Sequence, residues 1–379
     1  MKILLDARMF GLENTGVGRY IMNLVEELGK SDKKNDYVIL LRKKYFHELK
    51  LPKNWTKVLA DFRHYTIAEQ IKLPRLISSY KPDLVHFPHF NIPILFRGKF
   101  IVTIHDMIMH NQGKDSTTLS LPLYYAKRIL YRFIFKNAVI SSAKIITPTE
   151  TIKKQIKDYY KINTQKVRVI HEGINDDFIR RNLKGNEEMI LRKFGLLHHK
   201  FFIYMGNAYP YKNLKRVIEA LVLLNERSKV KFQFVIVTSR NVFAEKLKKD
   251  IKTHNADNFI KLLGFVEDNE MVYLLKNSIA FIYPSLSEGF GLQGLEAMAA
   301  GTLVLASEIP VFIEVYKNYA SYFNPYDVSA IVKSMEGVIE INKQKKSILI
   351  KQSQEFVRHY SWTKMTKETQ EVYEEVLKK

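Results

Sequence analysis

The stretch AFIYPSLSEGFGLQGLEA, residues 280–297, predicts a buried strand that continues through a glycine-rich loop into a helix ending near Gly301. Glycines permit close backbone approach, and the free N–H groups at a helix start attract an anion such as a diphosphate. Glu288 falls in the loop at the carboxyl end of the strand, where α/β proteins bind ligands, and Glu296 falls early in the helix. We expect both carboxylates to line one crevice and to accept hydrogen bonds from ribose or sugar hydroxyls. The alternative is a solvated pair of glutamates beside a glycine turn.

Short apolar runs alternate with helical periodicity along the rest of the chain. Apolar residues at Leu214, Val217, Ile218 and Leu221 follow the i, i+3, i+4, i+7 spacing of a helix with one buried face. Apolar runs separated by helices are typical of parallel strands that are buried on both faces. The predicted strands are Lys2–Leu5, Tyr37–Leu41, Leu84–Phe87, Phe100–Ile104, Lys144–Thr147, Val167–Ile170, Phe201–Met205, Phe232–Thr238, Phe259–Leu262, Ala280–Tyr283 and Leu303–Ala306.

With 379 residues, the chain exceeds the size at which one hydrophobic core stops growing. The fold class predicted is therefore α/β, with two Rossmann-like doubly wound domains facing a cleft. We place the first domain at 1–175 and the second at 176–355, with the connection near His171–Asp177. The C-terminal segment 356–379, with a long amphipathic helix predicted at Trp362–Leu377, is expected to cross back to the first domain.

The chain carries a net charge of +21 and contains no cysteine. The missing cysteines exclude disulfides, thiolate metal sites and a cysteine nucleophile, and they are compatible with a cytoplasmic location. The start of the chain predicts a strand and not a signal peptide, and no apolar run is long enough to span a membrane. Residues 121–170 hold eleven Lys or Arg against two acids, a bias that attracts phosphate-rich partners or an anionic membrane surface. No recognition motif supports nucleic acid.

Bases and aromatic residues alternate at helical spacing within Tyr124–Phe133. This composition suits a helix at a lipid headgroup interface, which predicts peripheral attachment to the inner face of a membrane. The alternative is a buried helix with solvated lysines.

A second candidate site is the cluster Tyr204–Asn213, which links a strand to a helix. It contains Gly206 and Asn207, and Lys212 stands beside the helix start. A lysine at that position can bind a phosphate as a point charge, strengthened by the helix N-terminus. The alternative is a surface lysine.

Two further candidates lie in the first half of the chain. Gly16 and Gly18 open the first helix, but the third glycine of a dinucleotide fingerprint is missing, so we expect a substrate loop and no nicotinamide. His105 ends a strand, where it can bond a ligand, act as a base or serve the structure. His86 and His89 lack a third ligand, so no metal is predicted.

Together these places resemble the family 4 retaining glycosyltransferases of the GT-B fold, also called group 1, along nearly the whole chain. The Glu288–Glu296 element is similar to that family's Glu-x7-Glu motif. The resemblance implies that Glu288 contacts the donor sugar and Glu296 the nucleotide ribose, in the second domain. It also implies that the backbone of the intervening loop approaches the sugar and phosphates, through Gly289, Phe290, Gly291 and Leu292.

The same resemblance assigns the other candidates. Lys212 and the Gly206 loop match the part that holds the diphosphate, and His105 matches a histidine near the donor sugar. Gly16 and Gly18 match a flexible N-terminal loop. The segment Gly264-Phe265-Val266 looks like the one whose backbone recognises the base.

Asn207 departs from the family, because many members have arginine directly after the glycine that matches Gly206. Lys212 then has one fewer cationic neighbour, for which Arg216 or Arg19 would have to compensate. The Gly-Asn…Lys-Asn variant looks like that of bacterial mannosyltransferases that build surface polysaccharides, and it favours GDP-mannose as the donor.

The resemblance implies a metal-independent, retaining transfer of a sugar from a GDP- or UDP-linked donor to a glycan or lipid-linked acceptor, without any other cofactor. Mannose from GDP-mannose is the favoured donor, and the product belongs to cell-surface polysaccharide or glycolipid synthesis. The alternatives are a UDP-sugar-dependent member of the family, a sugar-nucleotide epimerase on the same fold, and a non-catalytic protein that binds membranes or nucleic acid.

Overall fold

The computed structural model describes residues 1–111, 113, 117, 120–174, 187–238 and 242–378. The chain divides into two compact units, Met1–Gly173 with Tyr360–Lys379, and Ile174–His359. Each unit contains one sheet, and every strand pairing among the described residues is parallel. Of the predicted connection, Asn175, Asp176 and Asp177 lie outside the described residues, as does the expected boundary after residue 175.

The first unit contains a seven-stranded sheet with the order β3-β2-β1-β4-β5-β6-β7. Its strands are β1 Lys2–Asp6, β2 Asp36–Leu41, β3 Trp55–Leu59, β4 Leu84–Phe87, β5 Phe100–Thr103, β6 Lys144–Thr147 and β7 Val167–Val169. Its α-helices are α1 Thr15–Ser31, α2 Lys43–Phe46, α3 Ile67–Ser79, α4 Ile108–Asn111, α5 Leu121–Ser141 and α6 Glu150–Tyr160. Short 3-10 turns occupy Leu12–Asn14 and Thr164–Lys166.

The second unit contains a six-stranded sheet with the order β10-β9-β8-β11-β12-β13. Its strands are β8 Lys200–Met205, β9 Phe232–Val237, β10 Ile260–Leu263, β11 Phe281–Tyr283, β12 Val304–Ser307 and β13 Ser321–Phe323. Its α-helices are α7 Glu187–Lys193, α8 Leu214–Arg227, α9 Val242–Thr253, α10 Asp268–Asn277, α11 Leu292–Ala299, α12 Pro310–Tyr316, α13 Val328–Ile339 and α14 Lys343–Val357. Short 3-10 turns occupy Pro210–Lys212 and Lys317–Tyr319.

The predicted α/β class with two doubly wound sheets is confirmed. The four apolar residues predicted to form the buried face of α8 are all buried, because their spacing places them on one side of a 3.6-residue helix. Two strands were not predicted, β3 and β13, and both lie at the edge of a sheet. An edge strand need not be apolar on both faces, and in β3 only Trp55 and Val58 are buried.

The last helix, α15 Trp362–Lys378, belongs to the first unit. Its Tyr373 hydroxyl lies 2.7 Å from His86 Nδ1, and the carbonyl of Val376 accepts a hydrogen bond from Lys99 Nζ at 3.2 Å. The bounds of this helix agree with the predicted Trp362–Leu377 to within one residue. Of the wider segment 356–379, Phe356 and Val357 complete helix α14 of the second unit. In the part of the chain that the structure describes, no helix has the length and apolar character needed to cross a membrane.

Candidate active site

The second sheet reverses its winding at β8. The chain proceeds from β8 to β9 and β10 on one side, and it then places β11 on the other side of β8. In open α/β sheets, such a switch point leaves a crevice at the carboxyl ends of the two strands. The loops that follow β8 and β11 are the two clusters singled out in the sequence, one holding Lys212 and the other holding Glu288. The fold therefore places these two candidate loops side by side.

Lys212 and Glu288 form a buried ion pair at this switch point. Lys212 Nζ lies 2.5 Å from Glu288 Oε1, and the two side chains are only 7% and 9% exposed. The ammonium also lies over the rings of Tyr211 and Tyr283, at 5.1 and 5.5 Å from their centroids, where the π faces attract a cation. The backbone N–H of Leu286 donates to the Tyr211 carbonyl at 2.8 Å and ties the two loops together. Lys212 is therefore not a surface lysine.

Both motif glutamates are buried, since Glu296 is 3% exposed and lies in the fifth position of α11. The alternative of a solvated glutamate pair is therefore wrong. Burial raises the pKa of the Tyr204 and Tyr283 hydroxyls well above its ordinary value, and the negative charge of Glu288 raises it further. Both hydroxyls stay protonated and donate, Tyr204 to the carbonyl of Asn207 and Tyr283 to Gln293, each at 2.7 Å.

The glycines of the Glu288 loop make room for a side chain of the same unit. Gly291 has φ +95° and precedes the first residue of α11, and a Cβ added there would meet Tyr316 Oη at 2.4 Å. A Cβ on Gly294 would meet the same oxygen at 2.4 Å. Tyr316 Oη donates to the Gly291 carbonyl at 2.5 Å. We expected these glycines to admit a ligand, but packing against Tyr316 already accounts for both.

The remaining donor-side candidates lie on loops at the same edge of the sheet. Phe290 and Leu292 are buried beside Gly291. A Cβ on Gly206, which has φ +145°, would meet Tyr204 Oη at 2.7 Å. After β10, Val266 is buried, whereas the neighbouring Phe265 is 84% exposed.

Arg216 was a candidate to compensate for the arginine that Asn207 replaces. Its Nη1 donates to Asn213 Oδ1 at 2.7 Å, and its guanidinium lies over the ring of Tyr326 at 5.7 Å. It also lines a cavity of about 370 Å³ at the start of α8, together with Tyr209 and Phe243. Arg216 thus adds positive charge to the loop that follows β8, although it already has two partners.

His105 follows β5 in the first unit, and both of its ring nitrogens have partners. Nδ1 lies 3.0 Å from Glu172 Oε1, and Nε2 lies 3.0 Å from the carbonyl of Pro88. Burial lowers the pKa of His105, but the hydrogen bond and charge of Glu172 outweigh burial, so the pKa is raised. Because both partners are acceptors, the ring carries two protons. Such an imidazolium donates and does not act as a base. Glu172 was missed, since no sequence motif contains it.

Gly16 and Gly18 lie in the first turn of α1, as their place at the start of the first helix predicted, and not in the flexible loop that the family resemblance implied. A Cβ on Gly18 would stand 1.9 Å from the carbonyl oxygen of Gly11, so close backbone packing requires this glycine. A Cβ added at Gly16 would meet no atom of the described residues within 4 Å beyond its own stretch of helix, so packing does not require this glycine.

His86 and His89, the two other histidines considered above, bind different partners. His86 lies between the Tyr373 hydroxyl and Thr103 Oγ1, which is 2.8 Å from its Nε2. His89 Nδ1 accepts from the backbone N–H of Asn91 at 3.2 Å. Within the described ranges, no group of three or more His, Asp or Glu side chains is placed to hold a metal ion.

Comparison with known proteins agrees with this arrangement. The family described as glycosyl transferases group 1 matches residues 188–356, and the glycosyltransferase family 4 matches residues 14–178. The chain is 28% identical over 282 residues to the O-antigen chain mannosyltransferase RfbU of Salmonella typhimurium, covering 73% of this chain and 70% of that protein. It is 24% identical over 348 residues to the O-antigen chain mannosyltransferase B of Escherichia coli, covering 87% and 88%.

Among solved structures, Anabaena Alr3699/HepE in complex with UDP and glucose superposes with a TM-score of 0.76 at 14% identity, covering 99% of this chain and all of that one. That likeness concerns the fold. Two doubly wound domains, with the motif glutamates at the switch point of the second, define a GT-B glycosyltransferase. The chain belongs to the group 1 glycosyltransferases of this fold, and it is a transferase enzyme.

Proposed function

We propose that the chain transfers mannose from GDP-mannose to an acceptor hydroxyl in the synthesis of a surface polysaccharide or glycolipid, with retention and without a metal. The observation that carries this proposal is the buried Lys212–Glu288 pair at the switch point of the second sheet. It places one positive and one negative group where an α/β sheet binds its ligand. A diphosphate needs the first group, and a sugar hydroxyl needs the second.

The chemistry assigned to these groups is electrostatic. As the bond between the anomeric carbon and the phosphate oxygen breaks, negative charge grows on the leaving diphosphate. The Lys212 ammonium and N–H groups at the start of α11 stabilise that charge, each donor contributing about 3 kcal/mol. The acceptor oxygen forms the new bond from the same face and passes its proton to the leaving phosphate oxygen. Glu288 holds a donor hydroxyl and Glu296 holds the ribose.

The choice of GDP-mannose rests on the relatives and on Asn207. Two O-antigen mannosyltransferases are similar over most of the chain, whereas a structural neighbour binds UDP and glucose. A UDP-sugar therefore stays the second candidate donor.

Thermal unfolding with GDP, UDP and their sugars tests the donor, since a ligand that binds only the folded state raises its stability. We expect the largest shift with GDP or GDP-mannose. Glu296→Ala should weaken nucleotide binding about 10- to 100-fold, the value of one hydrogen bond to a charged group. Glu226→Ala, at an exposed position of α8, is the matched control. A preference for UDP would replace the proposed donor. Isomerisation of the donor without an acceptor would favour the epimerase.

We also propose that α5 attaches the first unit to an anionic membrane surface. One face of α5 packs against the unit through Tyr131, Ile134, Phe135, Ala138 and Val139. Another face leaves large apolar side chains in solvent, with Ile129 70% and Phe133 57% exposed. The helix contains four bases and no acid, namely Lys127, Arg128, Arg132 and Lys136. Exposed apolar and cationic side chains on one helix match the acyl and headgroup layers of an anionic bilayer.

Co-sedimentation with vesicles of anionic and of neutral lipid tests this surface. Binding to anionic vesicles should fall with salt, and it should be lost on charge reversal at Lys127, Arg128 and Arg132. The matched control is the same change at Lys154 and Lys157 of α6 and at Lys161, which follows that helix. An equal loss of vesicle binding in both variants would show that binding depends on the net charge of the protein and not on α5. An absence of binding to anionic vesicles by the wild type would overturn the proposal.

A further inference from the structure

Helix α11 begins at Leu292 after a glycine N-cap. Gly291 has a left-handed backbone with φ +95° and ψ 41°, and glycine has no side chain that could bond to the first turn of the helix. Glycine also has more backbone freedom to lose on folding than any other residue, so it fixes the direction of its own peptide groups poorly. Because the leaving diphosphate is assigned to N–H groups at this helix start, another part of the unit has to hold them in place.

The hydroxyl of Tyr316 makes that contact. Tyr316 is the last residue of α12, it is fully buried, and its Oη donates to the carbonyl of Gly291 at 2.5 Å. The same carbonyl accepts from the backbone N–H of Gly294 at 3.1 Å. A carbonyl oxygen has two lone pairs and accommodates both donors. The Gly291 carbonyl therefore joins the end of α12 to the first turn of α11.

The planar peptide bond transmits this orientation to a backbone donor. The carbonyl of Gly291 and the N–H of Leu292 belong to one peptide group, and that group is trans. In a trans peptide group, the C=O and N–H bonds point in opposite directions. The Tyr316 hydroxyl holds the carbonyl towards itself, so the N–H of Leu292 points away from Tyr316. Fixing one bond of this group fixes the other.

The ring of Tyr316 is part of an aromatic cluster that extends to Lys212. Tyr316 stacks on Phe312 with ring centroids 5.1 Å apart, and Phe312 lies 4.6 Å from the ring of Tyr283. The Lys212 ammonium lies 5.5 Å from the centroid of the Tyr283 ring, and the Tyr283 hydroxyl donates to Gln293 of α11. These three rings connect the ammonium to the helix start, the two groups to which the diphosphate is assigned.

The position of Tyr316 depends on a glycine inside α11. A Cβ added at Gly294 would meet Tyr316 Oη at 2.4 Å and Cζ at 2.5 Å. Alanine is the better helix former at an interior position, so helix propensity does not explain a glycine here. The glycine does leave room for the hydroxyl to reach the N-cap carbonyl. Contact between Tyr316 and Gly291 is thus the feature that this residue makes possible.

We propose that Tyr316 is a positioning residue of the transfer step, whose hydroxyl fixes the Gly291 carbonyl and thereby directs the N–H of Leu292 towards the leaving diphosphate. The inference rests on the proposed transferase function and adds a residue to its machinery. Tyr316 acts through Gly291 and touches neither donor nor acceptor. Loss of its hydroxyl weakens the binding of a diphosphate and slows transfer, whereas the part of the site that holds the nucleoside is unaffected.

Tyr316→Phe tests the proposal, because it removes the hydroxyl and keeps the ring on Phe312. We expect calorimetric titration to show binding of GDP or UDP weakened about tenfold, the value of one hydrogen bond to a charged group, and kcat to fall with it. Binding of guanosine or uridine, measured by saturation-transfer NMR, should stay unchanged, because a nucleoside has no phosphate. Tyr37→Phe is the matched control, since it removes another buried hydroxyl, which donates to Asp32 in the first unit.

Gly294→Ala is a second variant, which displaces the hydroxyl without removing it and should show the same selective loss if Tyr316→Phe does not fold. Wild-type affinity for the diphosphate in these variants overturns the role of Tyr316 and leaves the donor assignment standing. Equal losses of diphosphate and nucleoside binding overturn it as well, because the site then fails as a whole. A wild-type chain that binds neither GDP nor UDP overturns the donor assignment, and this inference with it.

Discussion

Lys212 Nζ and Glu288 Oε1 lie 2.5 Å apart, although 76 positions separate the two residues in the chain. Each follows one of two strands that neighbour each other in the second sheet, and each side chain is more than nine-tenths buried. In an open cleft loop, removal of Glu288 would leave the fold intact. The ion pair excludes that outcome, because removal of either partner leaves the other charge buried and unpaired.

Glu288→Ala should therefore abolish transfer and also lower the free energy of unfolding by about 3–5 kcal/mol. The double variant Glu288→Leu with Lys212→Met should recover most of that stability, because no charge is left without a partner, and it should stay inactive. Urea unfolding and a transfer assay measure the two effects separately. Near-normal turnover in folded Glu288→Ala would remove the basis of the site assignment.

Transfer should survive a strong chelator. The charge of the leaving diphosphate is assigned to Lys212 and to the N–H groups at the start of α11, and these groups do not depend on a metal ion. Nucleotide release in the presence of acceptor, measured with and without EDTA, checks this. Activity that disappears with EDTA and returns with magnesium or manganese would contradict the assignment.

An α-configured donor should give an α-linked product. Inversion needs a base on the sugar face opposite the leaving group, and His105 was the candidate named in the sequence. Its two nitrogens now donate to Glu172 and Pro88, which leaves the ring without a lone pair to take a proton. Proton NMR of the new anomeric signal decides the outcome, and a β-linked product would place the enzyme outside the retaining group.

Stability should fall in mild acid because of His86, which is fully buried between Thr103 and Tyr373. Burial lowers its pKa to about 3, whereas an exposed histidine titrates near pH 6.5. Between pH 3 and pH 6.5, the folded state thus binds fewer protons than the unfolded state does. The contribution of His86 is complete above pH 6.5 and is lost as the pH falls towards 3. Between pH 7 and pH 5, this single group should remove about 2 kcal/mol.

Urea unfolding at pH 7 and pH 5 measures the acid effect. The wild type has to be compared with a His86 variant, because His89 and Glu69, whose pKa values are also lowered, contribute to the pH dependence as well. His86→Gln keeps a donor and an acceptor but cannot take up a proton, so its stability should change less between the two pH values. His199→Gln, at an exposed position, should behave as the wild type does. Equal acid sensitivity in the wild type and His86→Gln would exclude this role of His86.

The site residues that could be predicted are those whose neighbours in sequence carry the signal. Glycines, a carboxylate and a helix start within 280–297 identify a loop at the end of a strand. Lys212 was identified by the helix start that follows it. Glu172 gave no such signal, because 67 positions separate it from His105 and only the fold brings the two side chains together.

Apolar runs and helical periodicity determined the sequence of strands and helices, because a strand buried on both faces must be apolar at every position. The same local patterns did not predict β3 or β13, because a strand at the edge of a sheet need not be apolar at every position. Tertiary structure alone decided which charges meet. Lys212 pairs with Glu288 and His105 with Glu172 because parallel strands bring their carboxyl ends to one edge. The burial of those pairs is a property of the packed unit, and no short segment of sequence contains it.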